Sequence, residues 1–315
     1  MYGVRRLDAA FSDRGSTRSS WDFIAALDRK GKVMTKKARC SVIIVTHNSE
    51  RVIHKAMECL YVQSVPADQI LLVDTGSLDR SYLSRYEQDD NTQIIFAGNG
   101  VGFCRGNNEG FKHLAPETDY VFLVNPDAFL TERFIEEALA FMECPKNASC
   151  AVVTGKVYGY DLNNDCPSGF YDTTGIFQQW YGRWYDRGQG ECCEENTYET
   201  VQDVPAICGA LMFCRKKALD TILLRDREFF DNRFFMYKED IDLSVRLRAK
   251  GWRLVYNPKL TAYHCRGWNP DRRQMPRRLR LVSARNELWI HLRARFVFGT
   301  VYSSLKYASV ALFNK

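Results

Sequence analysis

The sequence predicts an α/β fold built on a mostly parallel sheet. Three short apolar runs each end in a cluster of polar residues, and segments with helical spacing lie between them. Runs that are too short for helices and rich in β-branched residues or leucine are typical of buried parallel strands. Their alternation with helices indicates repeated β-loop-α units. A length of 315 residues allows one large domain with an appendage, or two modest domains.

The first half of the chain supplies four candidate strands, at residues 42–45, 70–73, 93–96 and 121–124. Asn48, Asp74 and Asp127 lie in the polar clusters that follow the first, second and last of these runs. Because ligands of open α/β sheets bind beyond the carboxyl ends of the strands, we expect these three side chains to line one crevice. The alternative is that each cluster is only a turn and a helix cap.

The remaining elements follow from periodicity and from start and stop signals. Helical spacing predicts helices over residues 49–61, 77–86 and 107–114. A capped amphipathic helix is expected from Thr131 to about Cys144, and a helix from Asp240 to Lys250 stopped by Gly251. Strands are expected over residues 151–158, 204–214 and 253–256.

Residues 161–203 form a segment rich in glycine, asparagine, aromatic and charged residues. This composition predicts a long loop region or a small antiparallel insertion, and long ordered loops are usually functional. Its aromatic side chains, Trp180, Tyr181, Trp184 and Tyr185, could pack on the sheet edge or stack on sugar rings. The residues alone favour neither role.

Composition excludes several classes of protein. A net charge of +6 is too small for a protein that binds nucleic acid over its whole surface, and we expect no nucleic-acid partner. Eleven cysteines without a C-x-x-C pair indicate neither a disulfide framework nor a zinc site, but reduced thiols in a cytosolic protein. The sequence contains no run of about 18 uncharged apolar residues, so we expect no membrane-spanning helix. The polar N-terminus has no apolar core of the kind found in signal peptides.

Three carboxylates, Glu239, Asp240 and Asp242, follow the aromatic cluster of residues 229–237. On a helix Glu239 and Asp242 share a face, while Asp240 points elsewhere. Acidic residues are favoured in a first turn by the helix dipole. Crowded carboxylates beside aromatic rings should also have raised pKa values, which suits a general base. Both interpretations remain open on the residues alone.

A series of short motifs resembles family 2 glycosyltransferases of the rhamnosyl- and galactofuranosyltransferase-like branch. The motifs are SVIIVTHNS at 41–49, VDTGSLD at 73–79, GFCRGNNEG at 102–110, VNPD at 124–127, GALM at 209–212, the block at 229–243, His264 and Arg285-Asn286. Each motif is weak, but their order and spacing over residues 40 to 290 are specific. The resemblance implies a GT-A type, Rossmann-like fold that binds a nucleotide sugar, with a helical C-terminal extension.

The resemblance implies a divalent cation, Mg²⁺ or Mn²⁺. Asn125-Pro126-Asp127 stands where relatives carry an Asp-x-Asp signature, so Asp127 would bind the metal. His264 matches the family's histidine ligand. Asn125 offers only hydrogen bonds where many relatives have a carboxylate. Without the resemblance, the residues favour the interpretation of His264 as an edge-strand residue beside Cys265.

The resemblance also places the nucleotide pocket. Thr46 and Asn48 would frame it, and Asp74 would recognise the base or the ribose. The chain departs from the family pattern at Thr75 and at Gly100, where relatives usually have asparagine. These departures affect positions expected to contact the base and the phosphates.

The chemistry implied by the resemblance is an inverting transfer. Asp240 would be the catalytic base that takes the proton from the acceptor hydroxyl, while Glu239 and Asp242 would orient the acceptor or cap the helix. The expected donor is dTDP-rhamnose or a UDP-sugar, and the expected acceptor is a glycan or a lipid-linked glycan of cell-surface polysaccharide synthesis.

Two alternative functions are considered, one enzymatic and one non-catalytic. Gly100, Gly102 and Gly106 imitate a dinucleotide fingerprint, which would indicate a nicotinamide-dependent dehydrogenase. However, they do not follow the first strand, and no acidic residue closes the next strand about 20 residues on. The other alternative is a non-catalytic sugar-nucleotide-binding or scaffold protein on the same fold.

We expect three parts, an N-terminal extension over 1–33, a catalytic domain over 34–265 and a helical region over 266–315. Met34 is an alternative start. The last region has many arginines up to Arg295, then an apolar stretch with one charge, Lys306. This pattern predicts an amphipathic helix on an anionic membrane surface, or helices that pack on the catalytic domain or on a second subunit of a homo-oligomer. The expected location is cytoplasmic, either free or peripheral on the cytoplasmic face of the membrane.

Overall fold

The computed structural model describes residues 37–193, 197–265 and 275–313. The expected extension over 1–33 and the alternative start at Met34 lie outside the described residues. Arginines 266, 272 and 273 of the basic region, and residues 194–196 of the aromatic segment, also lie outside them. The described chain from Arg39 onward belongs to one compact unit.

The chain alternates strands and helices in its first half, as predicted. The strands are β1 (Cys40–Thr46), β2 (Gln69–Asp74), β3 (Thr92–Phe96), β4 (Tyr120–Val124), β5 (Ala128–Leu130), β6 (Cys150–Asp161), β7 (Cys166–Thr173), β8 (Ile176–Gln178), β9 (Trp184–Asp186), β10 (Gln202–Asp203), β11 (Leu211–Arg215) and β12 (Arg253–His264). The α-helices are α1 (Ile53–Tyr61), α2 (Gly102–Lys112), α3 (Phe134–Glu143), α4 (Lys216–Asp220), α5 (Glu239–Ala249), α6 (Arg277–Arg293) and α7 (Val297–Phe313).

The main sheet has the strand order β10-β12-β6-β11-β4-β1-β2-β3. Strands β4, β1, β2 and β3 are parallel, and β12 is parallel to β6, whereas β11 is antiparallel to both of its neighbours. The predicted mostly parallel sheet is therefore confirmed. Since the carboxyl ends of β1, β2 and β4 lie at one edge, the polar residues that follow them share that edge.

Helix α2 packs unusually close to the sheet through two glycines. A Cβ atom on Gly106 would lie 2.7 Å from Cγ1 of Val45, and one on Gly110 would lie 2.8 Å from Cγ2 of Ile43. Contacts this short leave no room for a side chain, so glycine is required where the helix crosses β1. In this chain, Gly106 of the apparent dinucleotide fingerprint therefore packs a helix against the sheet.

Three predicted elements differ from the structure. The predicted helix over 77–86 is only a 3₁₀ helix, Ser81–Tyr86. The predicted strand over 204–214 is limited to β11, and the segment before it is a loop with one isolated bridge at Ala206. The predicted cap of α3 is wrong because the Thr131 hydroxyl donates to the carbonyl of Thr261, and the helix begins at Phe134.

The aromatic segment forms antiparallel ribbons. Strand β7 pairs with β6, and β8 pairs with β9 in a separate two-stranded sheet. The described residues therefore support the antiparallel insertion rather than an irregular loop. All eleven cysteines are free, which confirms that they form no disulfide framework.

Helices α6 and α7 follow the sheet and contact the β8–β9 turn. A Cβ atom on Gly182 would lie 2.4 Å from Cα of Gly299, so the turn and α7 touch backbone to backbone. Tyr181 packs edge-on against Tyr302 at a centroid distance of 5.2 Å. In the part of the chain that the structure describes, no helix combines the length and the apolar character needed to cross a membrane.

Candidate active site

The pairing of β5 with β12 brings Asp127 beside His264. Ala128 is opposite His264 in the register, and the N–H of Cys265 donates to the carbonyl of Asp127 at 2.9 Å. Oδ1 of Asp127 lies 3.2 Å from Nε2 of His264. Nδ2 of Asn125 lies 3.5 Å from the same nitrogen. Three residues named from the sequence therefore meet around one imidazole edge.

The other edge of the His264 ring contacts Asp172, which the sequence analysis did not identify. His264 is only 5 % exposed, and its Nδ1 lies 3.0 Å from Oδ2 of Asp172. Burial alone would favour the neutral ring, but the carboxylates of Asp127 and Asp172 outweigh it and raise the pKa of His264 to about 9. No local signal marks Asp172, because an antiparallel strand delivers it from a distant part of the chain.

This donor set fits a divalent cation. With a pKa of about 9 the ring is protonated near neutral pH, so a cation bound at Nε2 would have to displace the proton there, while the hydrogen bond to Asp172 would keep the proton on Nδ1. One carboxylate and one imidazole suit Mn²⁺ or Mg²⁺ when substrate oxygens and water complete the coordination. Among the described residues no group of three or more His, Cys, Asp or Glu side chains could hold a metal ion.

Asp240 lies in the first turn of α5, with both carboxylate oxygens fixed by backbone donors. Oδ2 accepts from the N–H of Gly209 at 2.9 Å, and Oδ1 accepts from the N–H of Ile241 at 2.8 Å. Burial raises the pKa of Asp240, and the hydrogen bond from Gly209 opposes that rise. The structure thus holds a carboxylate of raised basicity in a defined orientation.

One short segment connects Asp240 to the cation-binding candidates. Gly209 donates to Asp240, and the carbonyl of the next residue, Ala210, accepts from the N–H of Asn125 at 3.0 Å. Asn125 in turn reaches the ring of His264. The structure therefore brings the predicted base and the predicted metal ligands to the two sides of a two-residue segment.

The two acidic neighbours of Asp240 differ in their environments. Glu239 is 7 % exposed, and its Oε2 has no hydrogen-bond partner among the described residues. Burial, followed by the charge of Asp240, raises the pKa of Glu239 to about 8. Asp242 is buried in ion pairs with Arg246, at 2.8 Å, and with Arg293. Asp242 thereby ties α5 to α6, and its role in substrate binding stays a prediction.

A loop with unusual backbone conformations leads into α5. Phe235, Tyr237 and Lys238 all have φ between 63° and 71°, the left-handed region that non-glycine residues rarely adopt. Nδ2 of the fully buried Asn286 lies 2.9, 3.0 and 2.8 Å from the carbonyl oxygens of Phe234, Met236 and Tyr237. Asn286, from the Arg-Asn motif, therefore holds the loop that positions Asp240.

Strand β9 supplies a carboxylate whose charge acts on Asp240, and it also carries a buried indole. Trp184 and Asp186 lie on the same face of β9, since they are two positions apart. The charge of Asp186 contributes to the raised pKa of Asp240, after burial. Nε1 of Trp184 is buried without a hydrogen-bond partner among the described residues. A buried, unsatisfied donor of this kind suits contact with a bound polar molecule.

The predicted nucleotide pocket lies at the ends of β1 and β2. Thr46 is opposite Asp74 in the register, and its hydroxyl is 2.8 Å from the hydroxyl of Tyr82. Asn48 is exposed, with φ of 51°, and its Oδ1 accepts from the N–H of Leu78 at 2.8 Å. The structure thus brings Thr46, Asn48 and Asp74 together at the sheet edge.

Asp74 is fully buried and organises the loop after β2. Its carboxylate accepts from the N–H groups of Gly76 at 3.1 Å and Ser77 at 3.2 Å, and it pairs with Nε of Arg80 at 3.0 Å. These contacts explain why residues 77–80 form a turn rather than the predicted helix. Recognition of the base or ribose by Asp74 stays a prediction.

Comparisons with known proteins identify the family of the chain. The sequence profile of Glycosyl transferase family 2 matches residues 41–223. The N-acetylglucosaminyl-diphospho-decaprenol L-rhamnosyltransferase of Mycobacterium tuberculosis is 23% identical over 239 residues, which cover 71% of this chain and 75% of the relative. Rhamnosyltransferase WbbL of Escherichia coli is 24% identical over 229 residues, which cover 71% of this chain and 82% of the relative.

Solved structures share the fold at low sequence identity. GalNAc-T7 with UDP, GalNAc and Mn²⁺ superposes with a TM-score of 0.59 at 14% identity over 82% of this chain, which spans about half (48%) of that protein's length. Mannosyltransferase PcManGT from Pyrobaculum calidifontis, in complex with GDP-Man and Mn²⁺, gives a TM-score of 0.54 at 15% identity, covering 89% of this chain and 72% of that one. The predicted GT-A type fold, with its helical C-terminal extension, is confirmed.

Proposed function

The chain belongs to glycosyl transferase family 2, and from that membership we propose a specific reaction: inverting transfer of a sugar from a nucleoside diphosphate to a hydroxyl of a glycan or lipid-linked acceptor. The product would serve cell-surface polysaccharide synthesis. The first candidate donor is dTDP-rhamnose and the next is a UDP-sugar. The similarity to two rhamnosyltransferases supports this order of donors.

The observation that carries the proposal is the link between Asp240 and Asn125. Both residues hydrogen-bond to the segment Gly209–Ala210, and Asn125 adjoins the pair formed by Asp127 and His264. A transferase of this kind needs a base for the acceptor and a binding site for the diphosphate on opposite sides of the sugar. The contacts across Gly209–Ala210 support such a pair of sites.

On the diphosphate side, Asp127 and His264 would hold a divalent cation. When bound, Mg²⁺ or Mn²⁺ would stabilise the negative charge that develops on the departing nucleoside diphosphate. Asp172 would orient the His264 ring and keep its proton on Nδ1. Asn125 would donate a hydrogen bond to an oxygen of the donor, and Thr46, Asn48 and Asp74 would frame its nucleoside. The catalytic domain would comprise residues 34–265.

On the acceptor side, Asp240 would take the proton from the attacking hydroxyl. Its raised pKa makes it a stronger base than an exposed aspartate. Glu239, with a pKa raised to about 8, would be protonated near neutral pH and could donate a hydrogen bond to the acceptor. A single displacement assisted by one base inverts the anomeric centre.

The test is a thermal-shift screen of sugar nucleotides with Mg²⁺ or Mn²⁺, followed by assays of the stabilising donor. Preferential binding to the folded state raises the melting temperature, so the true donor should give the largest shift. We expect donor hydrolysis in the absence of acceptor, and its loss on addition of EDTA. Donor binding without any turnover would favour the non-catalytic alternative. A shift with nicotinamide dinucleotides alone would contradict the proposal.

A further inference from the structure

Helix α7 presents an apolar stripe on its outer face. Val297, Val301 and Leu305 follow one another at intervals of four residues, and all are exposed, Leu305 by 68%. The exposed Leu312 and Phe313 extend the stripe toward the end of the described helix. Soluble proteins rarely expose a contiguous apolar patch of this kind unless it meets a partner or a membrane.

Packing fixes the direction in which this stripe points. Gly299, Ser303 and Val310 are the buried residues of α7, on the opposite face. The Ser303 hydroxyl lies 3.1 Å from Nδ1 of the buried His291, which joins α7 to α6. Because the inner face of α7 is packed against the rest of the described chain, the apolar stripe faces away from the described residues.

An aromatic residue outside the helix enlarges the stripe. Trp180, in the β8–β9 turn, is largely exposed and packs edge-on against the exposed Phe298 at a centroid distance of 6.2 Å. Tryptophan and tyrosine side chains are enriched where proteins meet the boundary between lipid and water. The stripe is therefore a surface formed jointly by α7 and the β8–β9 turn.

A basic groove lies between α6 and α7. It has a volume of about 450 Å³, and no acidic residue is among those that line it, which are Arg277, Arg278, Leu281, Val282, Arg285 and Tyr307. Arg277 donates to the carbonyl of Ala311, which places it against the last turn of α7. At the other end of the hairpin, the exposed Arg295 precedes Val297. Arginines therefore flank the apolar stripe at both ends.

We propose that this surface docks on a membrane that carries anionic lipid headgroups. Arginine supplies electrostatic attraction to anionic headgroups, and valine, leucine and phenylalanine supply apolar burial at the headgroup boundary. The 17 residues of α7 give a helix about 25 Å long that would lie in the plane of the interface. A second copy of this chain fits the stripe less well than a membrane does. Whether the two α7 helices paired parallel or antiparallel, arginines of the two copies would face and repel each other at both ends of the stripe.

The test is co-sedimentation of the full chain with vesicles, which does not depend on the proposed reaction. We expect binding to vesicles of phosphatidylcholine mixed with phosphatidylglycerol, and much weaker binding to phosphatidylcholine alone. Val301→Glu should reduce the partition coefficient at least about tenfold. At low salt, loss of each arginine should reduce the partition coefficient about fivefold. The double variant Arg277→Gln/Arg278→Gln should therefore reduce the partition coefficient about twenty-fivefold.

Matched controls separate this surface from a general effect of charge. Val62→Glu changes a valine that is 60% exposed, against 55% for Val301, on a different helix end. Arg248→Gln removes an exposed arginine of α5. Both controls should bind vesicles as the wild type does, and all variants should keep the wild-type melting temperature and donor hydrolysis.

Several results would overturn the proposal. One is failure of the wild type to sediment with anionic vesicles, and another is equal binding to vesicles with and without phosphatidylglycerol. A third is a lipid-free dimer, seen by sedimentation velocity, that Val301→Glu dissociates, because the stripe would then bind a second copy. Failure of donor binding would instead bear on the proposed reaction, since vesicle binding does not require a donor.

Discussion

Oδ2 of Asp172 lies 3.0 Å from Nδ1 of His264, although 92 positions separate the two residues. The carboxylate fixes the ring so that Nε2 faces Asp127. If His264 binds a cation, as we propose, Asp172 would act as a positioning residue for that ligand.

Replacement of Asp172 should lower the affinity of the folded protein for a divalent cation. In Asp172→Asn the orientation of His264 loses its charged partner, and we expect about tenfold lower affinity for Mn²⁺. Titration of Mn²⁺ followed by electron paramagnetic resonance measures this affinity directly. Asp203→Asn, which removes a partly exposed carboxylate paired with Arg253, is the control and should bind Mn²⁺ normally. Unchanged affinity in Asp172→Asn would contradict the positioning role.

Asp240→Asn should fold normally and lose at least about a hundredfold in turnover. The amide oxygen can still accept the N–H of Gly209, and only the local hydrogen bond from Ile241 is lost, but the side chain can no longer take a proton. The measurement is kcat with saturating donor, beside a donor-binding titration that should be unchanged. Asp220→Asn, in a surface ion pair with Lys216, is the matched control. Near-normal turnover would exclude Asp240 as the base.

Glu239 should make the folded protein less stable as pH rises. The fold raises its pKa from 4.5 to about 8, so between these values the folded chain keeps a proton that the unfolded chain has released. Its contribution to the free energy of unfolding is therefore fully present below about pH 4.5 and is lost as pH rises toward 8. The slope is at most about 1.4 kcal/mol per pH unit. Urea denaturation across this range should show a flatter profile for Glu239→Gln, and an identical profile would disprove the pKa shift.

Asn286→Ala should disturb the loop before α5. The variant leaves the carbonyl oxygens of Phe234, Met236 and Tyr237 without their amide donor. We expect a loss of about 2 kcal/mol in the free energy of unfolding. We also expect about tenfold lower kcat, because the loop sets the position of Asp240. Chemical denaturation and steady-state kinetics measure the two effects.

The control for this variant is Asn164→Ala, which removes an exposed asparagine whose amide donates to Asp161. It should change neither stability nor kcat. If Asn286→Ala lowered stability but left kcat unchanged, the asparagine would support folding alone.

The buried parallel strands were predictable because both of their faces are covered. Strands such as β1 and β2 then read as continuous apolar runs, and the polar residues Thr46 and Asp74 mark their ends. The relative placement of Asp127, His264 and Asp240 was not available from such patterns. It came from the motif resemblance, and it depends on pairing between β5 and β12, which are far apart in the chain.

Other features of the structure could not be predicted from the pattern of residues in the sequence. Asp172 reaches His264 through an antiparallel ribbon, and Asp186, whose charge acts on Asp240, lies in a two-stranded sheet outside the main one. The turn after β2 was mistaken for a helix because its residues have helical spacing, whereas the buried Asp74 carboxylate binds the backbone of Gly76 and Ser77 instead. Local side-chain contacts of this kind override periodicity.

The segment Gly209–Ala210 has one more consequence. Since Asp240 and Asn125 hydrogen-bond to consecutive residues of the same backbone, a displacement of this segment would carry both along and preserve their spacing. The positions of the two residues are therefore coupled through one stretch of backbone. A substitution that shifts this segment should therefore disturb the candidate base and the candidate cation ligands together, even if it touches neither of them.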